Sequence, residues 1–243
     1  LDGVVMVTTP QEVALADVMA LQEVDRFWRR SGMVDAPAEL GRHLPEHRCV
    51  YGVNLDMDSD FTDVEGRVVH RRRQFGTMIL SCSPILSNRN HLLPKYGMLT
   101  QHSIQQGTLE AVIEACFFPL RVHSVHLSHL DAAARLPQLA ALLDIRRRAP
   151  AAILMGDFKF KADGPEYAAM VGPLSERYGR LANTDGVVDS WSVAGHDEAD
   201  GVTCDGKRLD YPILAQPTCA SASAVFGSTA SPWAPITSPC GWS

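Results

Sequence analysis

No stretch of the 243 residues holds eighteen consecutive apolar residues, so a membrane-spanning helix is not expected. No Cys-x-x-Cys pair is present. The six cysteines stand alone at Cys49, Cys82, Cys116, Cys204, Cys219 and Cys240, which argues against a structural zinc site or a redox motif. An even count permits disulfides without requiring them. No basic excess exists either: the formal net charge is −6, unsuited to a protein held on nucleic acid by a broad basic surface. That balance still leaves room for a nuclease or phosphatase that reaches phosphate through a bound metal. A charged-then-apolar leader is missing, and the first residue is Leu1, so the sequence reads as processed, trimmed or a fragment. A soluble protein, cytoplasmic or secreted, is expected. The acidic stretch from Asp56 to Arg73 lacks the glycine and closing glutamate of a calcium loop and reads as a solvated excursion.

What is present suits a globular fold. Hydrophobic residues make up 46% and charged residues 21%, and the length is enough for one large domain with a sizeable core. No boundary, repeat or linker stands out, so residues 1–243 are read as a single domain. The organising stretch is Ala151 to Lys159. Ala151 to Met155 reads as a buried strand, Gly156 permits a turn or a close approach, and Asp157 falls at the strand's carboxyl end. Taken alone, it is a strand followed by an aspartate turn.

Ala16 to Val24 reads as another buried strand, with Glu23 at its end. Val4 to Val7, Val50 to Leu55 and Phe75 to Leu80 also read as strands. Leu109 to Phe118 alternates, Pro119 breaks the run, and Leu120 to Leu127 follows, so the two form an antiparallel hairpin. Leu120, Val122, Ser124 and His126 share one face, where His126 by default is a satisfied core histidine. Asp131 caps a helix that reaches Arg148. Its apolar stripe is Leu136, Leu139, Ala140 and Leu143, Pro137 kinks it or marks a later start, and Arg146 to Arg148 form a solvated end. Asp163-Gly164-Pro165 is a turn before a helix through Tyr178. Val187 to Trp191 and Arg208 to Leu214 are short strands, with Asp210 inside the second. Antiparallel pairs mixed with strand–helix–strand units indicate a layered α/β sandwich.

Four pieces stand in order: Leu21-Gln22-Glu23-Val24-Asp25, Val125-His126-Leu127, Met155-Gly156-Asp157-Phe158 and Arg208-Leu209-Asp210-Tyr211. Together with Phe75 to Ser81, Ser83-Pro84-Ile85 and Leu109 to Val112, they resemble the endonuclease/exonuclease/phosphatase family, the DNase I-like metal-dependent phosphoesterases. The resemblance covers roughly residues 16 to 236. It implies a four-layered α/β/β/α sandwich, two sheets face to face with helices outside and the active site at the sheet ends. It also implies that Glu23 binds Mg2+ or Mn2+, and that Asp157 aligns the attacking water or touches the metal. His126 would contact phosphate, and Asp210 would orient a histidine near the C-terminus.

The departures fall on the chemistry. Where the family has Gly-Asp-x-Asn, this chain has Gly156-Asp157-Phe158-Lys159; where it has Ser-Asp-His, the best match is Ser231-Pro232-Trp233. Asn-Thr-His reads Ser124-Val125-His126, and Ser-Arg reads Ser81-Cys82. The strand that normally supplies an asparagine beside the metal is either missing or replaced by Val4 to Thr9. Proline and tryptophan can do neither the metal-ligand nor the acid–base work, and losing one preorganised donor costs roughly 100- to 1,000-fold in rate. Two expectations follow. One is a family member with impaired or lost hydrolysis that binds a small phosphorylated molecule or another ligand, nucleic acid being less favoured. The other is an active enzyme, a weak phosphoesterase or a repurposed catalyst using Glu23, His126, Asp157 and Lys159, with Lys159 as base or imine former. Lys159 as a plain ammonium paired with Asp157, filling the metal's place, is the simpler role for that residue.

Overall fold

The computed structural model describes residues 16–95, 104–115, 118–148, 151–171 and 187–215. The expected strand at Val4, the Ser231-Pro232-Trp233 match, the C-terminal strand-like pieces and the far end of the helix expected through Tyr178 lie outside them. In chain order the elements are β1 (Val18–Arg26), a single 3-10 turn (Arg29–Ser31), α1 (Ala36–His43), β2 (Arg48–Asp58), β3 (Phe61–Thr62), β4 (Val68–Val69), β5 (Arg72–Ser81), β6 (Ile85–Leu92), β7 (Gly107–Ala115) and β8 (Phe118–His126). Then follow α2 (Ala132–Arg147), β9 (Ala152–Asp157), α3 (Pro165–Val171), β10 (Val187–Asp189), the short α4 (Ser190–Val193), a second 3-10 turn (Glu198–Gly201) and β11 (Asp210–Ala215).

Among the described residues two sheets carry the fold. One has the order β1-β5-β2 and the other β10-β11-β9-β8-β7-β6. Within the second sheet β8 and β9 run parallel, joined by α2 as the crossover, while its other pairs are antiparallel. The period-2 patterns explain the stacking. Val18 and Ile79 from the first sheet meet Leu109, Ala111, Ile113, Val122, Ile153, Met155 and Leu214 from the second, a dry layer between the sheets. The alternate residues face outward: Val125, Leu154 and Ile213 pack under Leu139, Leu142 and Leu143 of α2. On the other side Met19, Val24, Met78 and Leu80 lie under Leu40 of α1. The layers therefore run helix, sheet, sheet, helix, an α/β sandwich.

Several expectations change in detail. The acidic stretch after Leu55 is solvated, as expected, and is built as a ribbon that continues β2 and β5 and is tipped by the β3–β4 pair. Arg72 holds it together by pairing with Asp56 and Asp58. The strand β6 had no expected counterpart. Pro119 lies within β8, opposite Glu114, and does not break the strand. The helix α2 starts at Ala132 and runs through Pro137, with Asp131 accepting from Ala134 N–H at 2.8 Å. Its buried stripe uses Leu142 where Leu136 was expected, and Arg146 is buried rather than solvated. Cys49 and Cys82 are free thiols, and Cys204 is disulfide-bonded.

Candidate functional site

The residues singled out from the sequence converge at one end of the sandwich, on the side where the sheets face each other. His126 and Asp157 are Cα partners across β8 and β9, and Asp157 and Asp210 are partners across β9 and β11. Three neighbouring strands thus present one polar side chain each at the same level. Asp210 is the first residue of β11, not an interior one.

Glu23 arrives by a less regular route. It is not a strand-end residue: β1 continues to Arg26. The pairing of β1 with β5 slips between Leu21 and Val24, and Glu23 takes φ 56°, the left-handed region that L residues enter at a cost. In regular alternation Gln22 and Val24 would share a face. The bulge instead returns Val24 to the outward core beside Met19 and leaves both Gln22 and Glu23 turned towards the second sheet. A clamp holds the bulge, with Gln22 Nε2 donating to Ser124 Oγ at 3.0 Å and Ser124 Oγ donating to the Leu21 carbonyl at 3.1 Å. Gly156 makes the approach possible. A Cβ there would lie 2.2 Å from the Val125 carbonyl and 2.8 Å from Gln22 Nε2, and its φ is 138°. Gln22 and Ser124 were not picked out as site residues. The sequence signal for Ser124 was its place on the His126 face.

Lys159 is locked between two aromatic anchors. Phe158 and Phe160 are buried in the outward core and pack edge-to-face with each other, while Tyr211 contacts both and donates its hydroxyl to the Phe160 carbonyl at 3.0 Å. Between them Lys159 adopts φ 58°, and its N–H donates to Asp157 Oδ1 at 3.0 Å. Its ammonium then turns back, pairing with Asp157 Oδ2 and lying 3.6 Å from Glu23 Oε1. His126 Nε2 lies 3.6 Å from the same Glu23 oxygen.

The electrostatics follow from this crowding. Burial, reinforced by Asp210, raises the Asp157 pKa against the pull of Lys159. Burial raises Asp210 too, opposed by a hydrogen bond with Thr203 and by Lys159. Burial disfavours the Lys159 charge, but Asp157, Glu23 and Asp210 outweigh it, and its pKa is raised. Lys159 is therefore an ammonium, which removes the motive for a base or imine-forming lysine. Burial, then Lys159 and His129, push His126 down to about 3, so its imidazole is neutral.

Glu23, His126 and Asp157 each offer a ligand atom, all within 4.8 Å of one another, a donor set that could hold a divalent cation. Lys159 Nζ, however, already touches two of the three donors. Bringing a second positive centre to about 4 Å costs roughly 4 kcal/mol per unit of charge near a surface. As arranged, the residues accommodate one cation, and the ammonium is that cation.

The model of the endonuclease/exonuclease/phosphatase family matches residues 8–211. The chain belongs to this family. Sequence comparison with functionally curated proteins finds no match. Solved structures of the same fold include the endonuclease/exonuclease/phosphatase from Beutenbergia cavernae, with TM-score 0.58 and 18% identity over 84% of this chain. The chain spans 56% of that protein's length. They also include a mannosyl-6-phosphatase of Bacteroides thetaiotaomicron, with TM-score 0.56, 14% identity, and 84% and 73% of the two chains covered. D. rerio TDP2 complexed with a single-stranded DNA product gives TM-score 0.54, 18% identity, and 84% and 73% covered. At these identities the likeness speaks for the fold of the family. Among the described residues, no helix is long and apolar enough to cross a membrane.

Proposed function

We propose that this member of the endonuclease/exonuclease/phosphatase family binds a small phosphorylated molecule at the Glu23–His126–Asp157–Asp210 end of the sandwich, with metal-dependent hydrolysis impaired or lost because Lys159 supplies the cation. The observation that carries this reading is the ammonium paired with Asp157 and 3.6 Å from Glu23. A phosphoryl group needs charge neutralisation and positioned donors. Lys159 and His126 offer both, whereas a single fixed charge neutralises less than a divalent ion. The family and the phosphatase among its similar folds support phosphate as the ligand chemistry. In this reading His126 donates to a phosphate oxygen, Glu23 and Asp157 hold Lys159 in place, and Asp210 restrains Asp157.

Calorimetric titration with Mn2+ tests it. The unmodified protein takes up no ion at low millimolar concentration, and Lys159→Asn, which restores the family's residue and suits the left-handed backbone, binds it. Uptake by the unmodified protein that disappears in Glu23→Ala overturns the reading.

A second reading is favoured by the 4.8 Å grouping of Glu23, His126 and Asp157. It is an active phosphoesterase using Mg2+ or Mn2+, in which Lys159 leaves the carboxylates. When bound, such an ion would supply charge neutralisation at phosphate, and these three side chains would hold it. Turnover of a generic phosphodiester that is lost in Asp157→Ala decides for this reading.

A further inference from the structure

Behind His126, between the sheets, lie polar side chains that each keep one buried atom without a hydrogen bond. His126 Nδ1, Asn54 Nδ2, Thr77 Oγ1 and Asn90 Oδ1 are all buried and make no hydrogen bond. Asn54, Thr77 and His126 are 5%, 0% and 2% exposed. Unpartnered buried polar atoms are costly, about 1–3 kcal/mol each, and four together call for a common explanation.

The strands bring them to one place. Asn54 comes from the slip in β2 between Val53 and Leu55. Its Oδ1 would be 2.2 Å from a Cβ on Gly107, and Gly107 is the Cα partner of His126. Asn90 Oδ1 would be 2.6 Å from a Cβ on Gly52, and Gly52 is the partner of Thr77. Thr77 shares a strand face with Phe75, whose ring lies 5.9 Å from that of His126. Glycines 52 and 107 therefore make room for the Asn90 and Asn54 amides, beside their strand partners Thr77 and His126.

The hydrogen-bond roles are already set. Asn90 Nδ2 donates to the Val53 carbonyl at 2.7 Å and to Asn54 Oδ1 at 3.2 Å. Those two bonds orient both amides and leave one acceptor, Asn90 Oδ1, and one donor, Asn54 Nδ2. Thr77 Oγ1 bonds nothing else, so its hydrogen is available. A single water accepting from Asn54 and Thr77 and donating to Asn90 satisfies three of the four atoms and has one hydrogen left. That hydrogen requires an acceptor at His126 Nδ1, and the ring proton must then sit on Nε2. The Glu23 carboxylate 3.6 Å from Nε2 favours the same arrangement.

We propose that Asn54, Thr77 and Asn90, joined by one buried water, are positioning residues that hold His126 in its Nε2–H form, so that it presents a donor rather than a lone pair to a phosphate oxygen. The phosphate half of this proposal rests on the function proposed above; the tautomer half does not.

The test is nitrogen-15 NMR of the histidine rings in the full chain, with His126 assigned by its loss in His126→Gln. The expected spectrum has an unprotonated Nδ1 and a protonated Nε2. Thr77→Val and Asn54→Leu shift His126 to a mixture, and Thr77→Ser restores the original form. Inorganic phosphate affinity falls about tenfold in Thr77→Val and recovers in Thr77→Ser, taking the lower end of the loss seen when a metal-binding histidine is deprived of its supporting partner. A protonated Nδ1 in the unmodified protein overturns the proposal, as does an unchanged tautomer in both variants. If Thr77→Val and Asn54→Leu do not fold, the unmodified tautomer decides alone. If the tautomer behaves as stated while phosphate fails to bind the unmodified protein, the network stands and the phosphate-site reading falls.

Discussion

His126 and Asp157 are Cα partners on parallel strands, and both side chains point between the sheets. Parallel pairing sets them level, so neither can move along its strand without shifting the β8–β9 ladder. The same register places Lys159 two residues beyond Asp157, close enough for its ammonium to fold back onto the carboxylate. The chemistry of the site therefore depends on backbone geometry that several precise contacts maintain, and each can be tested.

Lys159→Met keeps an unbranched side chain one atom shorter and removes the charge. Asp157 and Asp210 then face each other without a counter-ion. Stability at neutral pH should fall by about 3 kcal/mol, the scale of a buried pair that loses one partner. Urea denaturation measures this, and an unchanged midpoint would mean that the pairing contributes nothing.

Gly156→Ala places a Cβ 2.2 Å from the Val125 carbonyl on a backbone at φ 138°. Backbone cannot yield as a flexible side chain does, so β8 and β9 must separate. A loss above about 3 kcal/mol, or failure to fold, is expected in thermal denaturation, since overpacking and strain add here.

Asp210→Asn removes the carboxylate that reinforces burial in raising the Asp157 pKa. A folded-state pKa above the unfolded value means that the folded form binds more protons, so this pair's contribution to stability declines as pH rises above the unfolded carboxylate range. The variant should show a shallower decline and be more stable at pH 8 relative to the unmodified protein. Chemical denaturation at pH 5 and pH 8 gives the comparison; equal slopes in the two proteins would refute it.

His123 gives the opposite sign. It is fully buried in β8 with neither ring nitrogen bonded, and burial, with His91 and Arg121, pushes it down to about 3. Its folded pKa is depressed, so the unfolded chain binds the extra proton below the ordinary histidine value. Stability is then lost as pH falls from 6.5 towards 3, at up to about 1.4 kcal/mol per pH unit. His123→Leu should flatten this acid limb in denaturation curves collected from pH 7 to pH 4. A limb that stays equally steep would assign the acid sensitivity to other groups.

Much of the architecture was legible because period-2 alternation reports directly on burial. Leu109 to Ala115 and Leu120 to His126 show which side faces the core, and the unbroken apolar run to Met155 reports burial on both faces. The ribbon was not legible, because its residues are solvated on both faces and alternation there carries no signal. Arg146 was misread for a related reason: three consecutive arginines look alike in sequence, and only the packing of α2 decides which one turns inward.

At the site, residue order alone indicated which groups to look for. Glu23, His126, Asp157, Lys159 and Asp210 were all picked out from the sequence, and the structure brings them to one end of the sandwich. The tertiary structure decided how they meet. The bulge that turns Glu23 inward, the left-handed Lys159 held between Phe158 and Phe160, and the unpartnered polar atoms behind His126 all arise from contacts between residues far apart in the chain. Local propensity disfavours a positive φ at glutamate or lysine, and only the clamp from Ser124 and the packing of Tyr211 make those conformations the stable ones.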